Sequence, residues 1–214
     1  RSTLFPYTTL FRSAGTGVLC FWLREHLPGA LCTGLERDPD AVEGARLAAG
    51  EQGLRADLEF FAGDLADEAR MIPGGAFDLV VSNPPFFVED SRPSPDPARR
   101  AGRHDEEGFL ARTLDCAQRV LRPGGKAALV LPATRLQEAL STASLARLHL
   151  TDLRMVHPRA GEPANRTLVA FVKTRRTTPV FHPPLFVHDT AGYSPELGEL
   201  LQSGRGSAGP MQEW

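Results

Sequence analysis

Apolar residues fall into short blocks that alternate with stretches of helical period, and most blocks stop on an acid, a glycine or a proline. Leu31–Glu36, Leu58–Asp64, Phe77–Ser82, Lys126–Pro132, Leu150–Val156 and Arg166–Lys173 have the length and the β-forming composition of buried strands. Between them, apolar spacing predicts helices over 18–27, closing near Pro28-Gly29, over 40–52, over 107–121, stopped by Arg122-Pro123-Gly124-Gly125, and over 136–147. Asp38-Pro39 supplies an N-cap and a proline at the first position of the second helix. Strands that alternate with helices predict a mostly parallel α/β sheet. The link 157–165 is too short for a crossover helix, so its two flanking strands are expected to form an antiparallel hairpin. Beyond Pro179, Leu185-Phe186-Val187-His188 and Tyr193-Ser194-Pro195-Glu196-Leu197 suit a strand and a short helix on the sheet edge. Glycine and serine from Ser203 onward predict a disordered tail.

The stretch Phe77-Asp78-Leu79-Val80-Val81-Ser82-Asn83-Pro84-Pro85-Phe86-Phe87 organises the rest. Two consecutive prolines cannot donate to a ladder and hold the backbone extended, so the chain must leave the sheet at Asn83. The carboxyl ends of strands are where open α/β sheets place a ligand crevice. There the Asn83 carboxamide and the Pro84 carbonyl offer two acceptors beside the Phe86 ring, a set that suits a planar group bearing an amine. The plainer alternative is a strand terminator with core phenylalanines.

Ala14-Gly15-Thr16-Gly17 lies before the first helix, where glycines let a ligand approach backbone amides, or simply make a tight turn. Glu36 follows at about the 20-residue spacing at which a carboxylate takes ribose hydroxyls; a solvated acid at a strand end is the alternative. Asp64 is placed either to border a nucleobase or to cap a helix. Residues 89–107 have no hydrophobic period and carry Arg92, Arg99, Arg100 and Arg103, which read as phosphate clamps or as a solvated flap. His104 either orients substrate or caps the following helix.

The net charge of −2 over 214 residues carries no general basic field, so any nucleic-acid contact must be local. Three cysteines without a C-x-x-C pair predict reduced thiols, no zinc site and a cytoplasmic protein. No apolar run reaches the roughly 20 residues of a membrane span. Residues 1–13 combine a proline, many hydroxyls and no acid, and resemble translated sequencing-adapter read-through. They are therefore set aside as a non-native leader, with the native first strand expected to be lost or replaced.

Ser82-Asn83-Pro84-Pro85-Phe86-Phe87 after a hydrophobic strand resembles the (D/N/S)-P-P-(Y/F/W) signature of amino-methyltransferases, and the element order is similar to the class I methyltransferase fold. More narrowly, this motif with Ala98-Arg99, Arg103-His104-Asp105, Arg122-Pro123-Gly124-Gly125, Leu129-Val130-Leu131-Pro132, residues 159–166 and residues 189–196 resembles the tRNA adenine-N6 methyltransferases that modify valine tRNA beside the anticodon. The resemblance spans roughly residues 14–201. It implies a Rossmann-like, doubly wound sheet with a C-terminal antiparallel hairpin, and S-adenosylmethionine (SAM) held by Ala14, Gly15, Thr16, Gly17, Glu36, Asp64 and Asn83. It further implies catalysis by Asn83, Pro84, Pro85 and Phe86, and RNA contacts from Phe86, Phe87, Arg99, Arg103 and His104. The partner expected is RNA, a tRNA in particular, with no metal, no membrane and a monomeric protein. The expected organisation is a leader (1–13), a methyltransferase domain (14–178), an extension packed on it (179–202) and a tail (203–214). One departure stands out: the acid of the family's first motif falls at Phe11, so SAM binding is expected to be weakened. Methylation of a glutamine side chain or guanine N2, or an impaired module that binds without methylating, are the competing readings.

Overall fold

The computed structural model describes residues 8–12, 14–63, 72, 74–83, 108–174, 176–190 and 192–203. In chain order the elements are β1 (Thr8–Arg12), α1 (Val18–His26), β2 (Leu31–Glu36), α2 (Pro39–Glu51), β3 (Leu58–Ala62) and β4 (Phe77–Ser82). These are followed by α3 (Phe109–Val120), β5 (Leu121–Pro132), α4 (Leu136–Leu145), β6 (Leu148–His157) and β7 (Arg166–Lys173). The extension contributes β8 (Val180–Phe181), β9 (Leu185–Phe186) and α5 (Pro195–Ser203). The sheet order is β3-β2-β1-β4-β5-β7-β6-β8, with β9 also paired to β6. The first five strands are parallel, and β7 inserts antiparallel between β5 and β6, as the short link requires.

Both faces of the sheet are covered. Leu10 and Phe11 are neighbours on β1, and the two-residue period of a strand sends them to different cores. Leu10 joins Val80, Leu110, Leu114 and Phe171 under α3 and α4, whereas Phe11 joins Cys20, Val42, Ala45 and Phe60 under α1 and α2. α3 buries Leu110, Thr113, Leu114, Ala117 and Val120, a single helical stripe. α1 departs from its expected apolar face: Val18 and Leu19 are exposed, and Cys20 is its buried residue. At the outer edge, Arg46 donates Nε and Nη2 to the Phe60 carbonyl at 3.0 and 2.7 Å, which occupies an acceptor that an edge strand otherwise leaves open.

Setting residues 1–13 aside from the fold requires correction. Thr8–Arg12 forms β1 at the middle of the sheet, in register with both β2 and β4. Thr9, Leu10 and Phe11 are all buried, as a central strand covered on both faces requires, and Asp78 fastens its start: Oδ2 accepts from the Thr8 amide and hydroxyl, both at 2.8 Å. Thr9 fits less well. It is fully buried, and its hydroxyl has no hydrogen-bond partner among the described residues. Thr9→Val keeps the shape and removes that orphaned group, so it is expected to stabilise the fold by about 1 kcal/mol. Chemical denaturation would check this, and an unchanged or lower midpoint would mean that the hydroxyl is satisfied in solution.

Arg122-Pro123-Gly124-Gly125 does more than stop α3. Phe77 pairs with Leu121 and Leu79 with Lys126, so the intervening residues are a bulge inside a twelve-residue β5, with Gly124 at φ 84°. On the far side, the extension is clamped to β6. Arg154 donates to Pro183 O at 2.9 Å and to Glu196 Oε1 at 2.5 Å, and His182 Nε2 lies 3.0 Å from Asp152 Oδ1. Burial alone would raise the Asp152 carboxyl pKa. Hydrogen bonds from His182 and Thr151 and the nearby Lys126 ammonium outweigh it and hold the group below its ordinary value. The tail expected from Ser203 starts one residue too early, because Ser203 closes α5, and residues 204–214 lie outside the described residues.

Candidate active site

Four strands end level with one another. Arg12 of β1 is opposite Leu35 of β2 and Ser82 of β4, and Glu36 is opposite Ala62 of β3. The sequence runs outward from β1 to β3 in one direction and from β4 to β5 in the other. The β1/β4 junction is therefore the point where the strand order reverses, the place for a ligand in an open α/β sheet. The Ala14–Gly17 loop, Glu36 and Asn83 all follow these strand ends.

The glycine loop has a built support. Gly17 adopts φ 82° as the N-cap of α1, and a Cβ on it would lie 2.8 Å from the Phe60 ring. Gly34 on β2 is equally constrained: a Cβ there would meet Phe60 at 2.5 Å and Ala14 Cβ at 3.1 Å. Phe60 therefore forms the floor on which the loop rests, with Phe21 beside it at a centroid distance of 6.0 Å. Sequence reasoning missed Gly34 and Phe60, although a glycine inside a strand is itself a sign of close approach. Gly15, by contrast, has φ 54° and nothing within 4 Å of where its Cβ would be, so its face of the loop is open.

Glu36 ties this loop to the end of β2. Its Oε2 accepts from the Gly15 amide at 2.9 Å, and its Oε1 accepts from the Arg37 and Asp38 amides at 2.7 and 3.2 Å. Three amide donors orient the carboxylate at the loop. Asn83 is exposed immediately beyond the buried Ser82, so it does not turn into the protein interior. The Ser82 hydroxyl is buried without a hydrogen-bond partner among the described residues, a second signal that the sequence did not show. Asp64, Pro84, Pro85, Phe86, Phe87, Arg99, Arg103 and His104 lie outside the described residues.

Cysteine chemistry is not available nearby: burial pushes the Cys32 thiol up to about 11 and raises Cys20 further, so both remain protonated at neutral pH. The groups present instead suit an amino acid attached to a nucleoside. Open backbone at Gly15 and a fixed carboxylate at Glu36 lie together at these strand ends. The position that does not fit is Phe11, which is 4 % exposed and packed in the core where an acid was expected.

A family model described as a methyltransferase domain matches residues 13–157. Among solved structures, a predicted O-methyltransferase from Agrobacterium tumefaciens superposes with a TM-score of 0.73 over 93 % of this chain and 90 % of that one, at 22 % identity. The chain is thus a SAM-dependent methyltransferase of the Rossmann-like class I fold. The tRNA1(Val) (adenine(37)-N6)-methyltransferase of Porphyromonas gingivalis is 32 % identical over 92 % of this chain and 79 % of its own length. The protein of the same name from Tolumonas auensis is 30 % identical over 86 % and 75 %. The chain belongs to this family.

Proposed function

We propose that the protein transfers a methyl group from SAM to the N6 amine of an adenine in tRNA, as its relatives' names describe for them. The observation that carries this reading is an exposed Asn83 at the reversal point of the sheet, directly followed by Pro84-Pro85-Phe86. Bound SAM supplies an electrophilic methyl group on a sulfonium. The Ala14–Gly17 loop and Glu36 would hold its amino acid and ribose ends, and Asp64 its adenine. The Asn83 carboxamide oxygen and the Pro84 carbonyl each accept one hydrogen of the target amine. This fixes the nitrogen and leaves its lone pair free to attack. Phe86 and Phe87 stack against the base, and Arg99, Arg103 and His104 contact the flanking RNA. A base already in a loop costs little to unstack, and stacking on one aromatic returns about 1–3 kcal/mol. Positioning does the catalytic work. A tRNA substrate places the enzyme in the cytoplasm.

The test is to incubate the purified chain with methyl-labelled SAM and separate tRNA, rRNA and protein fractions, then digest the labelled fraction to nucleosides. Label in tRNA N6-methyladenosine is the expected result. Label in glutamine or N2-methylguanosine would replace the substrate while keeping the chemistry.

Phe11 favours a second reading, in which the module holds RNA without methylating it because its cofactor site is impaired. On this view Thr8–Arg12 brings no acid to the glycine loop. Titration calorimetry with SAM separates the two: a Kd in the micromolar range supports the active enzyme, and no measurable heat supports the impaired module.

A further inference from the structure

The residues proposed above for methyl transfer all precede β5 in the chain, yet the sheet continues past it and rises higher there. Ser82 at the end of β4 is level with Leu129, whereas β5 runs on to Pro132, which pairs with Arg166, which pairs in turn with Val156. Three extra residues at about 3.3 Å each lift these strand ends about 10 Å above Ser82. β6 stands three strand spacings from β4, about 14 Å to the side. The site is therefore flanked by a wall, and two turns top it.

Both turns are held by backbone bonds. In the first, between β6 and β7, Asn165 N donates to Val156 O at 3.0 Å and Glu162 N to Arg159 O at 3.2 Å. His157 Nδ1 lies 2.7 Å from Glu162 O. In the second, residues 187–190 and 192–194, Val187 N donates to His157 O and His188 N to Pro158 O, both at 2.9 Å, which pins this turn onto the first. Ser194 N closes it on Val187 O at 2.9 Å. On this frame Tyr193 stacks on His188, with centroids 5.3 Å apart and planes 16° apart, while remaining 63 % exposed. His157 and Phe186 form a second ring contact at 5.5 Å beneath.

An exposed ring adds little to a core, but a ring fixed by backbone bonds and backed by a second ring is a ready stacking platform for a base. The charges beside it agree. Arg159 and Arg166 are exposed; Arg159 is 3.7 Å from Glu162, and Arg166 donates to the Asn165 carbonyl with no carboxylate partner among the described residues. The Asp189 carboxylate accepts from the Gly192 amide at 3.1 Å and so belongs to the turn itself.

We infer that the paired turns carrying Arg159, Arg166, His188 and Tyr193 are the docking surface for the RNA strand flanking the target nucleotide, with Tyr193 stacking on an unpaired base and the two arginines on phosphates. This rests on the RNA reading above and extends it to a surface that takes no part in methyl transfer. The test measures tRNA binding directly, without turnover, for the full chain and three variants at two salt concentrations. Tyr193→Ala is expected to weaken tRNA binding about tenfold while Tyr193→Phe keeps it within about twofold. Arg159→Ala combined with Arg166→Ala should weaken binding and flatten the salt dependence by about one to two in slope. SAM affinity and melting temperature should stay at the parent values in all three. Equal tRNA affinity for the parent, Tyr193→Ala and the double variant overturns the docking surface and leaves the RNA substrate standing. A fall in melting temperature with unchanged tRNA affinity shows the turn to be only a brace for α5 and also overturns it. A parent chain that binds no tRNA at all removes the RNA reading and this surface together.

Discussion

Asn83→Ala is expected to lower kcat by at least about a hundredfold, with the Kd for SAM within a few-fold of the parent value. The exposed carboxamide follows β4 at the reversal point, across from the β1 and β2 ends that carry the loop and Glu36. Its proposed role is to fix the reacting nitrogen, and losing a positioning group of this kind costs roughly 100-fold or more in rate. Because Asn83 is exposed, the truncation leaves no buried cavity, and the fold should be unaffected. Single-turnover methylation alongside SAM calorimetry checks the prediction. Near-parent turnover would mean that another group holds the amine, and the adenine-N6 assignment would lose its catalytic basis.

Gly17→Ala carries the second large effect, and here stability is the readout. The added Cβ meets the Phe60 ring at 2.8 Å and sits on a residue at φ 82°. Left-handed backbone costs a non-glycine residue about 1–2 kcal/mol, and overpacking adds about 1–3 kcal/mol, because Phe60 is itself buried against Phe21. A loss of about 2–5 kcal/mol corresponds to a fall in Tm of roughly 10 °C for a chain of this size. Gly15→Ala is the control. Its backbone is also left-handed, but its Cβ would enter open space, so about 1 kcal/mol is expected. Since that space is the proposed ligand side of the loop, Gly15→Ala should instead weaken SAM binding about tenfold. Thermal unfolding and calorimetry on both variants separate the roles; equal Tm losses would show that Phe60 yields freely and is no floor.

The order and type of the elements from α1 to β7 were legible in local pattern, because strand and helix periods are local properties. Leu31–Glu36 and Arg166–Lys173 have the ends that their patterns predict. The β6/β7 hairpin followed from the length of a link alone. The glycines and Glu36 were legible as a site because their spacing is characteristic of nucleoside-binding sheets. Only the tertiary structure decided where partners from distant segments meet. Glu36 reaches back 21 residues to the Gly15 amide, Phe60 rises from β3 under two glycines, and Arg122-Pro123-Gly124-Gly125 becomes a bulge because β4 passes beside it. Thr8–Arg12 was set aside on composition, yet it fills the middle of the sheet. The slot between β2 and β4 is covered on both faces and takes Thr9, Leu10 and Phe11 as one buried run, in which the Thr9 hydroxyl has no partner among the described residues. Pairing and burial are properties of the neighbours a residue acquires, and no single segment contains them.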